Sequence, residues 1–214
     1  MISILKKINS QLLLANLAFL VCTIGFSQGT RLLRQPDISD SHIVFTYGSD
    51  VWITEINSSE AKRLTSTAAV ESNPNFSPDG EWIAFTSNRS GVNQVFLVSK
   101  NGGEPQQLTC HPSGSEVRGW SPDGKTVLLA SSRDTAPRPY NRLYTIDVNG
   151  GAPKLLTKQW SHDGGFSPDG KQLIVDKMDR WDVEWRAYRG GQNTPLIILN
   201  LDTQEEQLLP NNKT

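Results

Sequence analysis

The tetrapeptide Ser-Pro-Asp-Gly occurs three times, at 77–80, 121–124 and 167–170, each time behind an aromatic residue: Phe76, Trp120 and Phe166. The copies are 44 and 46 residues apart. Their flanks repeat too. An apolar strand follows each turn (WIAF at 82–85, TVLLA at 126–130, QLIV at 172–175), then an alternating strand (QVFLV, RLYTIDV, PLIILNL), then a polar hairpin. Units two and three close on Leu-Thr, at Thr109 and Thr157, and the last closes on Leu-Leu-Pro at Pro210. A divergent first copy spans Pro36–Thr65, with Ile38 at the aromatic position and Asp40-Ser41 near the turn.

Three equivalent aspartates raise the question of a repeated acid site. Each letter of the turn has a backbone reason instead. Proline presets φ for the second position of a type I turn, Asp tolerates the third, and Gly accepts the positive φ of the bulge that follows. Asp79, Asp123 and Asp169 are therefore read as turn residues.

The period decides the architecture. Four short strands in about 45 residues, separated by turn signals, indicate an all-β chain and not βαβ units. One four-stranded meander cannot bury both of its faces. Radial stacking on copies of itself solves this, and the expected fold is a β-propeller of four antiparallel blades. The blades are placed at about 31–65, 66–109, 110–157 and 158–210, with Ile38, Phe76, Trp120 and Phe166 packed between neighbours.

Residues 1–27 do not fit the repeat. Lys6 and Lys7 precede a mostly apolar run from Leu12 to Phe26, and Gly25 and Ser27 suit a cleavage site before Gln28. This is the pattern of a secretory signal peptide, and it implies periplasmic export. An uncleaved membrane anchor is the competing reading, although the run is shorter than the ~20 residues a span requires. Cys22 follows Phe19-Leu20-Val21, which lacks the small residue of a lipid-attachment site. Removal of residues 1–27 leaves 28–214 as the partial propeller, with a net charge of −3 and Cys110 as its one cysteine. That balance steers the chain toward neither nucleic acid nor an anionic membrane, and one cysteine makes no internal disulfide.

No catalytic, metal or cofactor site emerges from the motifs. No Gly-x-Ser-x-Gly elbow or phosphate-cradling loop is present. His42 stands at a strand edge, and His111 and His162 lie in the connections that open units three and four. Neither of those two has a partner at metal-ligand spacing. The informative contrast is between the faces. Successive loops of a meander alternate between the two ends of its strands. The Ser-Pro-Asp-Gly turns and the hairpins thus share one face, and the longer variable loops share the other. The variable loops lengthen along the chain and collect Arg89, Arg133, Arg138, Tyr140 and the stretch Arg180–Gly191. Arg89 and Arg133 each stand nine residues past their turn glycine and read as repeat structure. Arg180, Trp181, Trp185, Tyr188 and Arg189 are the candidate contacts for peptide or a partner domain, since Arg and aromatics favour binding surfaces. The alternative is that this loop covers the next blade.

The repeat resembles the PD40 repeat of TolB-type propellers, most clearly at Pro74–Thr109. Pro36–Ile53 and Trp185, Tyr188, Arg189, Gly190 and Gly191 resemble the two ends of the propeller that opens tricorn-like serine proteases. That resemblance implies a six-bladed propeller that filters or channels peptides to a protease core. The Ser and His catalysts lie in the core, far downstream, so no catalytic residue is carried over to this chain. Four blades are then an open part of a ring, with apolar faces at both ends that invite self-association. The implied partners are peptides and a protease core or partner chain. The other reading is a TolB-like periplasmic binding or scaffold propeller unconnected with proteolysis.

Overall fold

The computed structural model describes residues 32–137, 139–177 and 196–209. Their strands form four separate four-stranded antiparallel sheets, each in chain order. Sheet 1 holds β1 (Arg34–Ile38), β2 (His42–Tyr47), β3 (Asp50–Glu55) and β4 (Lys62–Arg63). Sheet 2 holds β5 (Glu71–Phe76), β6 (Trp82–Ser87), β7 (Gln94–Ser99) and β8 (Gln106–Gln107). Sheet 3 holds β9 (Glu116–Trp120), β10 (Thr126–Ser131), β11 (Arg142–Asp147) and β12 (Lys154–Leu155). Sheet 4 holds β13 (Asp163–Phe166), β14 (Gln172–Asp176), β15 (Ile197–Asn200) and β16 (Glu206–Leu208).

The sheets stack as propeller blades because their strands are apolar on both faces. Along β6, Ile83 and Phe85 face sheet 1 while Ala84 faces sheet 3, as the two-residue period of a strand requires. Three apolar clusters result, one at each joint: Val44, Val51 and Ile53 with Phe76, Phe85 and Phe96; Val95 and Leu97 with Val117, Leu129 and Tyr144; Leu128 and Leu143 with Leu173, Val175 and Ile197. Among the described residues no cluster joins sheet 4 back to sheet 1, so the arc that these residues form is open. Phe76, Trp120 and Phe166 wedge into the three joints as expected. Ile38 does not: it is 63% exposed, because among the described residues no sheet stands before sheet 1 to receive it.

The first strand of every sheet lies innermost. β1, β5, β9 and β13 together line one axial hollow of about 190 Å³. Polar bonds join these strands from sheet to sheet. Phe76 N donates to Asp37 Oδ2 (2.7 Å), and Trp120 Nε1 donates to Asn75 O (3.0 Å). The closing threonines explain the conserved-looking Leu-Thr of the repeat within this chain. Thr65, Thr109 and Thr157 are buried, and their hydroxyls accept from Val51, Val95 and Leu143 N, each at 2.9 Å. The outermost strand is thereby pinned to the third.

The three Ser-Pro-Asp-Gly turns are superimposable in their bonding. Ser77 Oγ donates to Asp79 Oδ1 (2.5 Å) and accepts from Trp82 N (2.9 Å), and Asp79 Oδ1 also accepts from Glu81 N (3.1 Å). The same bonds recur at Ser121–Asp123 and Ser167–Asp169. Gly80, Gly124 and Gly170 take φ of +70°, +68° and +70°, where a side chain is strained. The turns also nest: a Cβ on Gly124 would lie 3.6 Å from Pro78 Cδ, and one on Gly170 would lie 3.8 Å from Pro122 Cδ. In the divergent copy Ser39 keeps the serine's role, bonding His42 N at 3.1 Å across a shorter loop.

The serine hydroxyl, followed by the backbone N–H, holds all three aspartates below their ordinary value. A carboxyl whose folded pKa is depressed contributes stability above the unfolded value of about 3.9 and loses it as pH falls through the folded one. The urea midpoint is therefore expected to drop between pH 5 and pH 3, and to drop less in the triple variant Asp79→Asn, Asp123→Asn, Asp169→Asn. Equal drops would show that the turns contribute nothing to acid stability.

Candidate functional site

The five residues singled out for peptide or partner contact, Arg180, Trp181, Trp185, Tyr188 and Arg189, lie outside the described residues, as does Arg138. The described part of the variable face separates structural arginines from available groups. Arg89 packs its guanidinium over Phe96 (4.5 Å) and Phe85 (5.4 Å) and pairs closely with Glu71. Arg133 repeats this over Tyr144 (5.2 Å), but bonds Ser115 Oγ (2.7 Å) where blade 2 has the glutamate. Both arginines fasten the start of their blade's innermost strand, as their equal spacing from the turn indicates.

A polar network with access to the axis runs from blade 2 to blade 4. Asn93 Nδ2 donates to Glu116 Oε1 (3.0 Å). Arg118 Nη2 donates to Glu116 Oε2 (2.9 Å) and to His162 Nε2 (3.1 Å), while its Nε donates to the His162 carbonyl (2.9 Å). A guanidinium only donates, so His162 Nε2 accepts from it, and the ring's Nδ1 lies 3.0 Å from the Asn141 side-chain amide. Burial pushes the Glu116 carboxyl up, but the bond and charge of Arg118, with the Asn93 amide, outweigh it and hold the group below its ordinary range. The Arg118 side chain is only 8% exposed, whereas Glu116 and Asp163 are 38% and 59% exposed and turn acceptors toward solvent.

Of this network, Arg118 and Asp163 line the axial hollow, so a guanidinium and a carboxylate face the axis. His162 lies in the connection that opens unit four, immediately before β13 (Asp163–Phe166), and its imidazole ties blade 3 to blade 4. Gly164 is there for packing: a Cβ would come within 2.8 Å of Leu143 Cδ1 and 2.6 Å of Ile174 O. His42 bonds Ser41 Oγ (2.7 Å) at the edge of β2, and His111 Nδ1 accepts from Ser113 N (3.2 Å). Among the described residues no group of three His, Cys, Asp or Glu side chains could hold a metal ion.

Residues 30–214 match the family model of the tricorn protease N-terminal β-propeller domain. The chain is 30% identical over 175 residues to tricorn protease homolog 1 of Streptomyces coelicolor, covering 81% of this chain and 16% of that protein. It is 27% identical over 181 residues to a putative tricorn-like protease N-terminal subunit of Sulfurisphaera tokodaii, covering 82% of this chain and 89% of that one. Among solved structures, TolB from Acinetobacter baumannii shares the fold with a TM-score of 0.66 at 20% identity, over 83% of this chain and 43% of that chain. The chain thus spans about a sixth of the length of the Streptomyces relative.

Proposed function

The chain belongs to the family of tricorn protease N-terminal β-propeller domains, and from that membership we propose that it is the peptide-filtering propeller of a tricorn-like serine peptidase, not catalytic by itself. The observation that carries this reading is the family match across residues 30–214, which takes in every blade. The Sulfurisphaera relative supports it: a protein named as an N-terminal subunit aligns over nearly its whole length, so a propeller of this size has a counterpart described as one subunit of a protease. The chemistry agrees. A filter needs a rigid scaffold with polar groups at its axis, and Arg118 and Asp163 bring a guanidinium and a carboxylate to the axial hollow.

In this reading residues 1–27 export the chain to the periplasm. Arg180, Trp181, Trp185, Tyr188 and Arg189 contact peptide or the protease core on the variable face, and the open blade edges meet further blades or another chain. The likeness to TolB, at 20% identity, is a likeness of fold and favours no second function. The DNA around this coding sequence tests the proposal. A serine-peptidase core with a PDZ segment is expected, either continuing the same frame or in an adjacent gene. A locus with neither would overturn the link to proteolysis.

A further inference from the structure

The three joints between blades are copies of one design, so each serves as a control for the others. On β3, β7 and β11 the residue paired with the outermost strand is Ile53, Leu97 and Thr145 in turn. Ile53 and Leu97 are buried in the first and second joints. In the third joint the shorter Thr145 lines an open cleft of about 590 Å³ on the turn face. Pro122, Leu156 and Phe166 give this cleft apolar surface, and Asp123, Lys154 and Asp169 bring charge to it.

The cation shows the same contrast. Lys62 and Lys154 occupy the same register position, paired with Ile53 and Thr145. Lys62 Nζ donates to Asn101 O in the next blade's hairpin at 2.7 Å and bridges its joint. The corresponding hairpin of blade 4 reads Leu201–Glu205 in place of Lys-Asn-Gly-Gly, and Lys154 makes no hydrogen bond or ion pair among the described residues. Relative to the first joint, the third thus lacks both the branched aliphatic side chain and the bridging lysine bond. What remains is apolar surface beside an exposed ammonium and two carboxylates held in their turns by serine.

We propose that the cleft between blades 3 and 4 binds the free C-terminus of a peptide. Its last side chain lies on Phe166 and Leu156, its terminal carboxylate meets Lys154, and Asp123 and Asp169 favour a basic residue just before it. The assignment rests on the peptide-handling reading above and gives it a second, specific site. A carboxylate is the complement of an unpaired lysine, and the apolar contact supplies burial that a bare ion would lack. The two aspartates disfavour acidic peptides by like-charge repulsion.

The test is fluorescence anisotropy of the full chain with a pentapeptide ending in Lys-Leu, dye-labelled at its N-terminus, as the free acid and as the C-terminal amide. The acid is expected to bind about tenfold more tightly than the amide, and Lys154→Gln should bring that ratio to about one. Thr145→Ile restores the residue of the first joint, so it should fold with an unchanged or higher melting temperature and lose binding of both peptides. Binding unaltered by Thr145→Ile and by Lys154→Gln would overturn the cleft while leaving peptide handling by another surface intact. An acid-to-amide ratio of one in the parent chain would overturn it as well. Failure of the peptidase reading would appear separately, in the surrounding DNA.

Discussion

Phe85→Ala is expected to cost about 3–5 kcal/mol, the range for emptying a fully buried phenylalanine site. The ring is 0% exposed and packs in the first joint against Phe76, Val44 and Val51, with the Phe96 ring stacked on it at 5.8 Å. It also lies under the Arg89 guanidinium. A domain of this kind has roughly 5–15 kcal/mol in total, so the variant should sit near the edge of folding at 37 °C. Urea unfolding followed by tryptophan fluorescence reads the effect, and a midpoint within 0.5 M of the parent would contradict the packing described. Phe85→Leu keeps most of the volume and should recover more than half of the loss.

Glu71→Ala is the second large effect, at about 3 kcal/mol. The Glu71 side chain is fully buried, pairs with Arg89, and accepts from Thr65 Oγ1 and from Val51 N at 3.3 Å. One carboxylate thereby joins blade 1 to blade 2. Its removal leaves a guanidinium without its counter-charge and a buried hydroxyl without its acceptor. The lower end of the range for breaking a buried pair applies because Arg89 retains 19% exposure. Blade 3 shows how the loss can be reduced: there Ser115 Oγ takes the glutamate's place at the Arg133 Nη2. Glu71→Ser should therefore lie closer to the parent than Glu71→Ala in the same urea titration. If serine and alanine prove equal, the arginine does not depend on a partner at this position. The two sites share Arg89, so the double variant Phe85→Ala/Glu71→Ala should lose less than the sum.

Much of the fold is legible in the chain because the repeat is legible. Phe76, Trp120 and Phe166 can be assigned to joints from sequence, since an apolar residue ahead of each turn of a stacked meander has one place to go. Arg89 and Arg133 can be set aside as scaffold from their offset alone, and their stacking on Phe96 and Tyr144 supplies the reason. Ile38 shows the limit. Its position in the repeat is the same, yet its burial depends on a neighbour that lies in no residue of its own unit. Gly164 shows another: nothing in its own unit reveals that β13 there approaches Leu143 and Ile174 more closely than a side chain permits.

The candidate surfaces divide along the same line. Arg180–Gly191 stands out as composition, since aromatics and arginines gather in one stretch of sequence. The cleft at Lys154 does not stand out: lysine and threonine in a strand are ordinary residues. Only the register that equates Thr145 with Ile53, and Lys154 with Lys62, reveals what this joint lacks. Gln106, at the same position in blade 2, gives no warning of it.

The period, the turn chemistry, the alternation of strands and hence the stacked blades are all written in the chain. These follow from local backbone preferences and from the need of a two-faced meander to cover both faces. Which copies are complete depends on how the blades meet in space. A joint is made by side chains about 45 residues apart, and whether Lys154 finds a carbonyl or is left facing a cleft depends on the hairpin that the next blade brings to it.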